Sequence, residues 1–192
     1  MTPTTLPPPI PRATLDDLML FDGKAELISG RVVELMASGD RPSTIAFLIA
    51  ATLLAYARRH GGRAYADGAG FAVTELPSGR ESFSPDAAYH TGPRPADPMD
   101  FVPGAPRFAV EMRSKNDYTP RSLREQASKR ADYFAAGTLV VWDVDPVAGV
   151  VDGYSSSAPG SPRRFGPGDE ADAEPALPGW RVAVDRIMRA RP

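Results

Sequence analysis

The chain has 192 residues, a formal net charge of −2, 42% hydrophobic and 24% charged residues. These values suit one soluble domain with a substantial core and give no chain-wide basic footprint for nucleic acid. The absence of cysteine excludes disulfides, thiolate metal sites and a cysteine nucleophile. No run of 18 apolar residues is present, which excludes a membrane-spanning helix. The N-terminus lacks the layout of a secretory signal, so a cytoplasmic location is expected.

Residues 1–12 hold five prolines and read as a disordered tail before a single domain over 13–192. Thr14, with Asp17 three residues on, starts a short helix as a capping-box variant. Ala25–Met36 reads as a β-hairpin with its turn at Ser29-Gly30. A long helix is expected over 43–60. There Ile45, Leu48, Ile49, Thr52, Leu53 and Tyr56 recur at helical spacing, and Gly61-Gly62 ends the run. Arg58, Arg59 and His60 suit the negative end of its dipole.

Short strands follow at 63–67, 70–75 and 81–89, with a turn at 77–79. The proline-rich segment 92–106 reads as a long surface loop, of a length that often carries function. Arg107–Met112 is an apolar strand broken only by Glu111. Arg121–Ala136 is a second long helix, stopped by Gly137, and Thr138–Val144 is a buried strand. This strand–helix–strand unit calls for a right-handed crossover and a parallel pair. A strand is expected at 149–154, no clear element over 155–178, an edge strand at 180–184 and a helical turn at 185–191. The fold class is α/β or α+β, a mixed sheet flanked by helices.

Two acids stand out. Asp86 follows Ser84-Pro85, where an acid is ordinary turn chemistry. Glu111 sits in Phe108-Ala109-Val110-Glu111-Met112, on the face opposite to Phe108 and Val110. A carboxylate in such a strand is costly unless something pairs with it, and a bound cation is one reason to keep two. His60 and His90 stand alone, so oxygen ligands and a hard cation such as Mg²⁺ or Mn²⁺ are what remain. Arg113, two residues after Glu111, shares its face and is placed to stabilise charge on a phosphate. The bland reading is a surface Glu–Arg pair of little worth.

Pro85-Asp86 followed by Glu111-Met112-Arg113 resembles the signature of the PD-(D/E)XK nucleases. Further blocks fall in order: Glu26-Leu27-Ile28-Ser29-Gly30-Arg31, Lys129-Arg130-Ala131-Asp132-Tyr133, Gly137 and Trp142-Asp143-Val144-Asp145-Pro146. Together they are similar to the bacterial putative restriction endonuclease family of that superfamily, over about Thr14 to Tyr154. The resemblance implies a restriction-endonuclease-like sheet, Mg²⁺ or Mn²⁺ on Asp86 and Glu111, and Glu26 as a further acid. It also implies hydrolysis of nucleic-acid phosphodiesters, DNA foremost, and a homodimer.

Two departures qualify it. The basic position is held by Arg113 where Lys is usual, and Arg cannot act as a general base. Lys129 matches a family lysine in the following helix. It lies about 200° from the apolar stripe of Leu123, Ala127, Ala131 and Phe134, yet shares a second face with Ser122, Gln126 and Tyr133. A solvent-facing and a site-lining lysine are both open on that geometry. In addition, Pro42-Ser43-Thr44 stands where the family often has a histidine. The alternative is therefore a catalytically weakened module that binds nucleic acid or protein. A third reading, a structural homodimer recruiting partners through its tail, has only tail composition behind it.

Overall fold

The computed structural model describes residues 11–188. Residues 1–10 of the expected tail lie outside the described residues. Arg12, at the tail's end, packs on the fold, its guanidinium bonded to Glu75 at 2.8 Å and Glu81 at 3.0 Å.

The first elements follow their local chemistry. Thr14 caps α1 (Leu15–Met19), and the Thr14–Asp17 box is complete. The hairpin of β1 (Ala25–Ile28) and β2 (Arg31–Glu34) turns at Ser29 and Gly30 with φ of 53° and 67°. Two-residue hairpins of this kind require positive φ at both positions, which Gly30 supplies without strain. Helix α2 (Asp40–His60) begins three residues before the expected start at 43 and ends at Gly61, where φ is 81°.

Six strands form the central sheet. They are β3 (Arg63–Ala66), β6 (Ala87–His90), β8 (Phe108–Met112), β9 (Val140–Asp145), β10 (Val150–Ser155) and β11 (Ala158–Phe165). Their order is β11-β10-β9-β8-β6-β3, and the β8–β9 pair is parallel while the others are antiparallel. Helix α3 (Pro120–Ala135) supplies the crossover that a parallel pair needs. A three-stranded sheet joins β4 (Phe71–Ala72), β5 (Ser82–Phe83) and β7 (Val102–Pro103). The expected long loop thus contains one short strand.

Segment 155–178, for which no element is expected from sequence, contributes the edge strand β11 and then β12 (Glu170–Asp172). Strand β12 pairs with β13 (Arg181–Ala183), which runs into α4 (Val184–Met188).

The sheet alternates faces, and the two faces differ. One carries Phe108, Val110, Trp142 and Val144, packed against Ile49 and Leu53 of α2 and against Leu177, Trp180 and Ile187 of the C-terminal segment. The other carries Ala88, Ala109 and Val141, with Phe71, Phe83 and Tyr133. This second apolar cluster is smaller, and next to it the sheet presents carboxylates to α3.

Helix α3 therefore turns most of its apolar stripe outward, Phe134 alone of the four packing half-buried against the second cluster. Ala127 and Ala131 are exposed and Leu123 is 41% exposed, while Asp132 and Tyr133 are buried and Lys129 turns inward. The polar face is the better match to a sheet face that holds acids, because buried carboxylates left without partners cost more than a few exposed methyl groups.

Candidate active site

The site forms where β1, β6, β8 and α3 meet. Ala87 lies opposite Val110 in the β6–β8 register, so the next position outward sets Asp86 opposite Glu111 on the α3 face. Two backbone bonds hold Asp86 there. Its N–H donates to the Val110 carbonyl at 3.0 Å, and its Oδ2 accepts from the Met112 N–H at 2.7 Å. The second acid, Glu111, accepts from Lys129 Nζ at 2.8 Å and from the Tyr133 hydroxyl at 2.6 Å.

Glu26 enters from the hairpin. The bridge Ile28–Arg80, the Glu81 N–H to Leu27 carbonyl bond at 2.9 Å and the Leu27 N–H to Ser82 Oγ bond at 2.7 Å dock β1 against 79–82. Glu26 is 2% exposed. It accepts from the Ser84 N–H at 2.9 Å and pairs with Lys129 Nζ at 2.9 Å and with the Arg80 guanidinium. Arg80 also bonds Asp132 of α3 at 2.9 Å. Lys129 thus bridges Glu26 and Glu111, and Arg80 bridges the hairpin to the helix. Lys24 bonds Asp86 at 2.8 Å and Asp67 at 2.6 Å.

The electrostatics separate Glu26 from Glu111. Burial alone pushes the Glu26 carboxyl up, yet Lys129, Arg80 and the Ser84 N–H overcome it and hold the group at about 2. Glu111 goes the other way. Burial pushes it above the usual carboxylate range, and the charges of Asp86 and Glu26 add to that against Lys129. Lys129 and Lys24 both lose to burial, but the facing carboxylates more than restore their charge and raise their values. Tyr133 is raised well above its ordinary value by burial and by Glu111 and Glu26, so it stays a hydrogen-bond donor.

Of the five residues expected at the site, Asp86, Glu111, Glu26 and Lys129 are brought together. Arg113 does not join them. Its guanidinium bonds Asp143 at 2.8 and 3.0 Å and Asp145 at 3.2 Å. A forked pairing to two strand acids suits arginine better than a single contact to Glu111. Arg130 adds a bond to Asp143 at 3.1 Å. The open question over Lys129 resolves to the inward position. In this site, arginines close off the acids of β9, while lysines hold Asp86, just before β6, and Glu111 of β8.

Lys24 and Arg80 escaped the sequence reading. Arg80 has no local signal, since its partner Glu26 is 54 residues away. Lys24 has one. The chain holds three lysines, Lys24, Lys115 and Lys129, among twenty-two basic residues. Where arginine is the default, a retained lysine points to a compact, single-point cation, and two of the three meet at these acids.

Among the described residues, no group of three or more His, Asp or Glu side chains is arranged to hold a metal ion. The pair Asp86 and Glu111 nonetheless fits Mg²⁺ or Mn²⁺. These ions take oxygen ligands, and Mg²⁺ is commonly held by one or two carboxylates with water and phosphate completing the shell. Burial is the main cause of the rise of Glu111, and the repulsion from Asp86 that adds to it is what a bound cation would relieve.

A family model described as a putative restriction endonuclease, Uma2, matches residues 16–185. The chain belongs to the Uma2 family. The match reaches past Tyr154, where the resemblance read from sequence stops, and takes in the C-terminal strands β12 and β13, ending at the start of α4. Comparison with solved structures finds the same fold as a crystal structure from Anabaena variabilis, described as a putative nuclease belonging to DUF820. The TM-score is 0.70 at 17% identity, over 94% of this Uma2 chain and 98% of that one. Comparison with curated proteins yields no match. No helix among the described residues of this Uma2 protein is long and apolar enough to cross a membrane.

Proposed function

We propose that this Uma2 protein is a metal-dependent endonuclease that hydrolyses nucleic-acid phosphodiesters, with DNA as the first substrate to test. The observation that carries the reading is the facing pair Asp86 and Glu111, each held by a lysine, in a chain of a family described as putative restriction endonucleases. Asp86 and Glu111 would hold Mg²⁺ or Mn²⁺. When bound, such an ion polarises a phosphoryl oxygen and lowers the pKa of a coordinated water.

The chain's own residues do the remaining work. Lys129 stays protonated between Glu26 and Glu111. It places an ammonium beside the metal-binding acid, where negative charge builds on the phosphate. Glu26 and Arg80 fix Lys129 from behind. Tyr133 sets the orientation of the Glu111 carboxylate by donating to Oε1. Arg113 keeps the end of β8 registered on β9 through Asp143 and Asp145, a positioning role.

Plasmid incubated with Mg²⁺ or Mn²⁺ tests the reading. Wild-type protein is expected to nick it, and Asp86→Ala to lose at least a hundredfold in rate. Equal residual nicking by the two would end the proposal. The second reading, a binding module without cleavage, has in its favour that both acids already carry ammonium partners. Calorimetry showing no uptake of either ion by folded protein would favour it. The homodimer and the cytoplasmic location implied at sequence level belong with this proposal. Light scattering checks the first and cell fractionation the second.

A further inference from the structure

A cleft of about 510 Å³ is lined by residues that adjoin, along the chain, groups bonded to Asp86. Its walls are the exit of the hairpin, the start of α2 and the turns that follow β8 and β9. Both walls begin at residues tied to Asp86. On one side, the Met112 N–H binds Asp86, and the next residue, Arg113, lines the cleft. On the other, Lys24 binds Asp86 and its carbonyl accepts from the Leu35 N–H at 2.8 Å; the next residue, Met36, lines the cleft.

Charge and polarity in this cleft differ from those of the chain as a whole. The protein is net acidic, yet no carboxylate is among the lining residues, whereas Arg41, Arg113 and Lys115 are. Arg113 is bound to Asp143 and Asp145. The side chains of Arg41 and Lys115 make no ion pair among the described residues. Lys115 is the one lysine of the three that the acids do not hold. Between these cations lie exposed apolar groups, with Met36 80% and Val147 78% exposed. Tyr118 adds a ring held in place by its hydroxyl, which donates to Asp145 at 2.8 Å.

We propose that this cleft binds an unpaired nucleotide of a single-stranded nucleic acid, its base against Tyr118, Met36 and Val147 and its phosphates on Arg41 and Lys115. The inference rests on the nuclease reading of the neighbouring acids and narrows its substrate class. A duplex offers phosphates but keeps its base faces stacked, so it uses the cations and leaves the apolar floor empty. A single strand uses both, which is how sequence-tolerant strand binding is built.

Fluorescence anisotropy in EDTA separates this from cleavage. A labelled oligothymidylate and a labelled duplex of equal length are titrated with full-length protein. The wild type is expected to bind the single strand more tightly. The double variant Arg41→Glu/Lys115→Glu is expected to weaken single-strand binding at least tenfold and to flatten its salt dependence, because two phosphate contacts are lost. Met36→Ala/Val147→Ala is expected to weaken it severalfold with the salt slope unchanged. These side chains are exposed, and circular dichroism confirms folding.

Three results would overturn the proposal. One is single-strand binding unchanged in the charge variant. Another is a wild-type preference for duplex. The third is an apolar variant that turns a dimer into a monomer without touching oligonucleotide affinity, which marks the cleft as a self-association surface. Asp86→Ala runs in parallel. If it abolishes nicking while the cleft variants bind as wild type, the cleft fails and the nuclease stands. If nothing nicks but the cleft variants lose binding, the reverse holds.

Discussion

At the scale of single residues, two carboxylates of one charge cluster, Glu26 and Glu111, are pushed in opposite directions, and that difference is measurable. Glu26 falls from an ordinary 4.5 to about 2 in the fold. The unfolded chain therefore takes up the proton first as the solution is acidified. The stabilisation is whole above about pH 4.5 and disappears as pH drops toward 2. At about 1.4 kcal/mol per pH unit it amounts to about 3 kcal/mol at neutrality. Glu26→Gln is expected to cost about that much in urea unfolding at pH 7 and to flatten the acid limb of stability against pH. Glu111 sits above its ordinary value because of burial and its acidic neighbours, so its charge works against folding. Glu111→Gln is expected to cost under about 1 kcal/mol while abolishing cleavage, the usual signature of a functional charge kept at the expense of stability. A loss as large as that of Glu26→Gln would refute this division. Lys24 gives a third check. Its ammonium already occupies Asp86 Oδ1, so any divalent ion competes with a tethered counter-ion. Lys24→Met is expected to tighten Mg²⁺ binding severalfold by calorimetry, and unchanged affinity would show that the lysine is no competitor.

At the scale of elements, α3 decides how the site is assembled, because it delivers Lys129, Asp132 and Tyr133 together. Its first turn is closed by the Thr119–Ser122 capping box with Pro120 behind the cap. Thr119→Ala is expected to lower stability by about 1 kcal/mol in thermal melts, with turnover at 25 °C preserved. A collapse of turnover well below the melting temperature would show that the cap also tunes the site. The same helix explains what the sequence could and could not tell. Periodicity identified α3 and its ends correctly. It pointed the Leu123, Ala127, Ala131 and Phe134 stripe inward, since an apolar stripe normally faces a core, yet of these four only Phe134 packs half-buried against one. That rule assumes an apolar surface to meet, and here the sheet offers Glu111 and Asp143. Glu111 was legible because a carboxylate in an apolar strand is conspicuous, Asp86 drew notice through it, and Glu26 was reached only through the family resemblance. Arg113 was misjudged because β9 carries two acids one strand away, a long-range pairing that spacing within β8 does not reveal.

At the scale of the whole molecule, the chain after Tyr154 matters more than its composition suggests. Ser, Pro and Gly there gave no periodic signal. Yet Ala171, Leu177, Trp180, Val182 and Ile187 are all buried against the main core, and Trp142 donates to the Asp172 carbonyl at 3.1 Å. A chain ending at Ser155 would leave the part of that face not covered by α2 open to water. It is expected to lose near-ultraviolet circular dichroism and to unfold without cooperativity, and a sharp two-state melt would refute this. The edge strand β11 has a consequence of another kind. Its sequence, Ala158-Pro159-Gly160-Ser161-Pro162-Arg163-Arg164-Phe165, places two residues without an amide hydrogen, and then two adjacent cations, on the outermost strand of the sheet. Such an edge offers a poor template for another strand. Copies of this protein are accordingly expected to meet through side-chain surfaces rather than by extending one another's sheets at β11, and concentrated solutions to resist ordered fibril growth from that end.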